Sequence, residues 1–179
     1  MSDLPVEISP VIPADWGKRL KEFIASAKTE KEDEHDRRAF FKSYIMEGVF
    51  GINARYIDYE KDRVDLYYAG VLIETKAKLD RASKLDGLKK VKKYLERRPN
   101  ARLCVVTDLI TFELYKPEDV RRTPEEQLET LEPFKVFSLD VKEEGESDEA
   151  YARRVFNELY LMLYPKETNL KPEPDVIVP

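Results

Sequence analysis

Asp65, Glu74 and Lys76 are the residues of this chain whose types and spacing suit metal-assisted chemistry. Two carboxylates offer hard oxygen ligands for Mg²⁺ or Mn²⁺, and a lysine two residues past the second acid orients or deprotonates a water beside the ion. Side chains alternate along a strand, so in VLIETKA the residues Leu72, Glu74 and Lys76 share one face, while Val71, Ile73 and Thr75 share the other. Just upstream, VDLYY is a second run rich in aromatic and branched residues, and Ala69-Gly70 between the two reads as a turn. A two-residue loop would pair Tyr68 with Val71, Tyr67 with Leu72 and Leu66 with Ile73, and would set Asp65 opposite Glu74. Facing carboxylates repel, and a divalent cation would relieve them. A solvated strand face, with Lys76 paired to Glu74 or a neighbouring acid, is the commoner origin of such spacing. Leu72 and Ile73 flank the acid in a run that reads as central, where an unpaired carboxylate is costly, and this favours a site.

Several elements must position these groups. A first helix opens at Pro13 and carries Trp16, Leu20, Phe23, Ile24 and Ala27 on one face, after Pro-rich, extended residues 1–12. A second helix follows the charged run KTEKEDEHD, presents Phe40, Phe41, Tyr44, Ile45 and Val49, and ends at Gly51. Its first turns hold Glu34, which the helix dipole alone would favour, and His35, which reads as exposed. A strand at 55–60 precedes the hairpin. A helix at 82–98, with Leu85, Leu88, Val91 and Leu95 buried, separates the hairpin from strands at 102–107 and 111–115. That helix lets the 102–107 strand run parallel to the hairpin's second strand, giving an α/β sandwich with a central mixed sheet flanked by helices. Residues 117–149 turn acidic and read as a surface loop or linker. A last helix opens near Ser147 and presents Tyr151, Val155, Leu159 and Met162 or Leu163 to the protein. The expected organisation is a core at 1–116, with 117–179 an acidic loop and a helix packed on it. The tail KPEPDVIVP reads as a linker to a region further downstream.

Charge is unevenly distributed. The 179 residues carry a net charge of −5, which is not the balance of a protein that coats nucleic acid by itself. Yet 76–102 holds eleven basic residues against Asp80, Asp86 and Glu96. Phosphate is the natural partner of such a stretch, with Lys78, Lys84, Lys89, Lys90 and Lys93 as its DNA-binding candidates. The single Cys104 lies in the apolar run LCVV and suits core packing. No apolar run approaches membrane-spanning length, so the expectation is a cytoplasmic protein without a membrane partner.

At Asp65 and Glu74-Thr75-Lys76 the sequence resembles the PD-(D/E)xK nuclease superfamily. The likeness extends over an acid-bearing helix (EDEHDRRAFFKSYIMEGVFGI), the hairpin, a basic helix and ARLCVVTDLITFELYK, to about Lys116. More narrowly it is similar to the N-terminal nuclease domain of restriction-modification enzymes that fuse nuclease, methyltransferase and target recognition in one chain. The resemblance implies a restriction-endonuclease-like fold and a Mg²⁺- or Mn²⁺-dependent endonuclease acting on double-stranded DNA. It implies Asp65, Glu74, Lys76 and Glu34 as catalytic residues, and Asp65, Glu74 and the Thr75 carbonyl as metal ligands. It also implies covalently linked methyltransferase and target-recognition domains, and two copies meeting for double-strand cleavage. The helix acid ahead of Phe41 matches Glu34, with Glu32 the other candidate. Two departures stand out: many relatives carry a Gln four residues before a Tyr, where Lys90 precedes Tyr94 here, and Arg63-Val64 replaces the Pro of the motif name. Two other classes remain open. One is a DNA-binding domain on the same fold that does not cleave; the other is an interaction module that docks a partner through the acidic loop and last helix.

Overall fold

Apolar residues spaced for one helical face and for alternating strands organise this chain into a mixed sheet between two helical layers. The computed structural model describes residues 11–29, 33–59 and 65–165. Expectations that fall on 1–10, on Glu32, on the end of the 55–60 strand and on the tail from 166 lie outside the described residues.

Helix α1 spans Trp16–Thr29 and buries Trp16, Leu20, Phe23 and Ala27. Helix α2, Glu34–Phe40, is capped by Asp33, whose side chain accepts the Asp36 amide. It then loosens into a π-helix over Phe41–Val49. The wider turn brings Phe41, Ile45 and Met46 inward and leaves Tyr44 and Val49 half-buried, so the inward face differs from the α-helical reading.

The sheet has six strands in chain order: β1 (Asp58–Tyr59), β2 (Leu66–Tyr68), β3 (Val71–Thr75), β4 (Leu103–Thr107), β5 (Thr111–Tyr115) and β6 (Lys135–Ser138). β3 and β4 are parallel, connected by helix α3 (Arg81–Leu95), and the other pairs are antiparallel. The hairpin register is the one the sequence implies, with Leu66, Tyr67 and Tyr68 opposite Ile73, Leu72 and Val71. Its turn has both central residues left-handed, Ala69 at φ 49° and Gly70 at φ 87°, which matches the twist of the strands. A left-handed alanine costs about 1 kcal/mol. Arg102 braces the turn, its amide donating to the Gly70 carbonyl at 2.7 Å and its Nε to the Ala69 carbonyl at 2.8 Å.

One face of the sheet packs Leu66, Val71, Ile73 and Val105 against α1, the π-helix and helix α5 (Asp148–Leu163). There Trp16 donates its indole N–H to the Ala152 carbonyl at 2.7 Å and meets Phe156 edge-on. The opposite face packs Tyr67, Leu72, Cys104 and Val106 under α3, helix α4 (Pro117–Arg122) and a 3₁₀ turn at Glu125–Thr130. Burial holds the Cys104 thiol at a pKa of about 12, consistent with core packing.

The acidic stretch after Lys116 is more structured than its composition implies. It supplies α4, the 3₁₀ turn and the edge strand β6, whose Phe137 is buried while Val136 stays half exposed. Four residues among so many charges give too short an alternation to announce a strand. β1 is likewise shorter than the strand expected there, because Ala54–Tyr56 forms a 3₁₀ turn. Leu85, expected in the buried stripe of α3, is only half-buried, and Tyr94 is buried instead. Among the described residues no helix is long and apolar enough to cross a membrane.

Candidate active site

Strand β3 ends in Glu74 and Thr75, and Lys76 follows directly, beneath the first turns of α3 and beside the first turn of α2. Glu74 and Lys76 share the α3 face, as their alternation requires, and both are almost completely buried, at 1% and 3% exposure. Gly87 is what allows α3 to lie so close. A Cβ at that position would stand 3.2 Å from Val106 Cγ1, 3.6 Å from Lys76 Cδ and 3.7 Å from Glu74 Cγ. Gly87→Ala should therefore stay within about 1 kcal/mol of wild type, its crowding offset by better helix propensity. Gly87→Leu should lose about 1–3 kcal/mol by overpacking, read from the urea midpoint. An unchanged midpoint for the leucine variant would mean that α3 has room to spare.

Asp65 sits one residue before β2, where the hairpin register carries it towards Glu74. Its carboxylate does not lie free across the ladder. Oδ2 accepts the Thr75 amide at 2.9 Å and the Thr75 hydroxyl at 3.2 Å, while Oδ1 lies 3.3 Å from Arg38 Nη2. Thr75 turns to the other face, and its hydroxyl is also 3.3 Å from the Glu34 carbonyl, which fastens the start of α2 to the end of β3.

Glu74 is the unusual member. Among the described residues neither of its oxygens has a hydrogen-bond partner when both acids are ionised, whereas a protonated Glu74 can share its proton with the Asp65 carboxylate. The nearest described ammonium, Lys90 Nζ, is 3.8 Å from Oε2, too long for a hydrogen bond. Burial, reinforced by the negative charge of Asp65, pushes its carboxyl well above the usual range, against the pull of Lys90 and Lys76. Lys76 behaves oppositely. Burial works against its charge, but hydrogen bonds and attraction from Asp86 and Glu34 outweigh it and raise the pKa. Its Nζ lies 2.6 Å from Asp86 Oδ2 and 3.2 Å from Glu34 Oε2. Lys76 thus stays an ammonium at neutral pH, able to orient a water or an anionic oxygen but poorly suited to remove a proton.

The structure brings Asp65, Glu74, Thr75, Lys76 and Glu34 together and adds three residues that sequence reasoning missed: Arg38, Asp86 and Gly87. Of these only Gly87, an isolated glycine inside a helix, carried a signal of close approach. Of the five nominated lysines, Lys90 belongs to this cluster. Lys78 pairs with Asp80 at 3.1 Å, and Lys84 with the buried Glu113 at 2.7 Å. Lys89 and Lys93 are exposed and have no acidic partner among the described residues.

A divalent cation suits this donor set. The buried Glu74 carboxylate has no hydrogen-bond partner among the described residues and only the 3.8 Å approach of Lys90 as an ion pair. It lies beside Asp65 in a site where negative charge is costly unless a cation or proton arrives. No group of three or more Asp, Glu, His or Cys side chains among the described residues could hold a metal ion on its own. That is compatible with Mg²⁺, which typically takes one or two carboxylates and completes its shell with water and phosphate oxygens. Comparison of the chain with protein-family models, curated proteins and solved structures finds no match.

Proposed function

We propose that this chain is a Mg²⁺- or Mn²⁺-dependent DNA endonuclease domain, of the PD-(D/E)xK kind that serves restriction-modification enzymes. The observation that carries the reading is the buried Glu74 carboxylate near the end of a central strand, without a hydrogen-bond partner among the described residues, with Asp65 beside it and an ammonium, Lys76, on the same face. A purely structural acid in that position would be hydrogen-bonded or replaced by an apolar residue.

Asp65, Glu74 and the Thr75 carbonyl would hold the metal, which when bound supplies positive charge to a phosphate and acidifies water. Arg38 and the Thr75 amide fix the orientation of the Asp65 carboxylate. Lys76 contributes its ammonium charge to the attacking water or to the phosphate oxygen that gains charge, and Glu34 and Asp86 hold it protonated and aimed. Lys89 and Lys93 on the exposed face of α3, with Lys90 at the site's edge, offer charge to the flanking backbone of double-stranded DNA. Linked methyltransferase and target-recognition domains, and pairing of two copies for double-strand cleavage, belong to the same proposal.

The test is supercoiled plasmid with Mg²⁺ or Mn²⁺. Wild type should nick or linearise it, and Asp65→Ala should lose that activity by roughly 10²-fold or more. Cleavage that survives the substitution would remove the assignment. DNA binding by a wild type that neither cleaves nor binds Mn²⁺ would favour a domain that holds DNA without cutting it.

A further inference from the structure

Among the described residues Glu74 has no hydrogen-bond partner although Lys90 approaches it and Lys76 shares its face, and one acid engages both lysines. Asp86 Oδ2 lies 2.6 Å from Lys76 Nζ and 3.5 Å from Lys90 Nζ, whereas Lys90 Nζ is 3.8 Å from Glu74 Oε2. Glu34 holds the other side of the Lys76 ammonium at 3.2 Å. A lysine stem is flexible, and an ammonium next to a buried carboxylate normally closes to hydrogen-bond distance. Here the closer acid is Asp86, on the first half of α3. We infer that Asp86 is a positioning residue, which draws the ammoniums of Lys76 and Lys90 off Glu74 and so keeps the Glu74 oxygens open to a divalent cation.

This rests on the metal-dependent reading above, and adds that cation affinity depends on a residue that is not a ligand. Without Asp86, Lys90 would close on Glu74 and compete with the metal for its oxygens. An ordinary surface ion pair predicts otherwise. The Asp86 side chain is 52% exposed, and pairs of that kind contribute little, so its loss would leave the metal site as it was.

Calorimetry with Mn²⁺ separates these. Asp86→Asn should weaken Mn²⁺ binding roughly tenfold, in the range seen for residues that orient metal ligands. Asp86→Glu should recover most of it. Adding Lys90→Ala to Asp86→Asn should restore binding, because the competing ammonium is gone. A second readout uses the metal-free protein. Lys90→Ala should lower the melting temperature only slightly in wild type, where Lys90 lies 3.8 Å from Glu74, and more in the Asp86→Asn background, where Lys90 has become the hydrogen-bond partner of Glu74. Wild-type affinity in Asp86→Asn, or no recovery on removing Lys90, overturns the role of Asp86 and leaves the nuclease reading intact. A wild type that binds no Mn²⁺ overturns both.

Discussion

Lys76→Ala is expected to cut DNA cleavage by roughly 10²–10³-fold, the cost of removing one preorganised charge from a reacting centre, while leaving Mn²⁺ binding at or above the wild-type level. The two readouts part company because Lys76 is not a ligand. Its ammonium is held by Asp86 and Glu34, not by Glu74, so its removal takes positive charge away from the place a cation would occupy. The fold should tolerate the change. Both acids are partly exposed, at 52% and 36% of their side chains, and water can take over once the lysine is gone. Calorimetry with Mn²⁺, set beside a plasmid-cleavage time course, checks the prediction. Equal loss of binding and cleavage would make Lys76 a structural prop for the site and remove its role in the reaction.

Glu74→Gln should abolish Mn²⁺ binding and cleavage and at the same time stabilise the metal-free fold. The physical reason is the buried carboxylate, which has no hydrogen-bond partner among the described residues. Its folded pKa is raised well above the ordinary glutamate value, by burial first and by Asp65 second. The folded protein therefore binds a proton more tightly than the unfolded chain does. Stability is lost as pH rises from the unfolded pKa through the folded one, and the ionised acid is a liability above both. A neutral amide of the same shape avoids that cost. About 2 kcal/mol of stabilisation is expected at neutral pH, in line with replacements of buried charges, or about 5 °C in melting temperature for a chain of this size. Lowering the pH towards the unfolded value should close the gap, because wild type then carries a proton where the variant carries an amide. Added Mn²⁺ should reverse the order by raising the melting temperature of wild type alone. Equal melting temperatures for wild type and Glu74→Gln at neutral pH, without metal, would show that Glu74 is not the unsatisfied charge its surroundings imply.

The hairpin was the most legible part of the sequence because two independent signals coincide there. Strand alternation assigns the faces, and the Ala69-Gly70 turn fixes the register, so every pair in it follows from local chemistry. The basic helix and the parallel partner strand were legible for a related reason, since a long periodic segment between two apolar runs has few other places to go. The limits were also local. β6 is too short and its surroundings too charged to be told from a loop, and nothing in an α-helical periodicity announces that Phe41–Val49 winds as a π-helix. Side-chain partnerships were the least accessible. Which acid holds Lys76 depends on how closely α3 approaches β3, a distance that Gly87 permits but that no spacing rule encodes. The basic run likewise promised more free charge than exists, because acids distant in sequence, such as Glu113, neutralise part of it.

The sheet lists its strands in the order the chain supplies them. A polypeptide leaving the ribosome can therefore add each strand to the edge just laid down, without waiting for a later segment to slip between earlier ones. Helices interrupt this growth twice, α3 between β3 and β4 and α4 with the 3₁₀ turn between β5 and β6, each within one connection. Helices do not follow the same schedule. The layer that covers Trp16 and Phe50 is α5, the last described element, whose Phe156 meets both rings. The residues around Glu74 are thus all synthesised well before the hydrophobic floor beneath the sheet is sealed. For that interval a nascent chain holds the pieces of its site but not the rigidity that would align them.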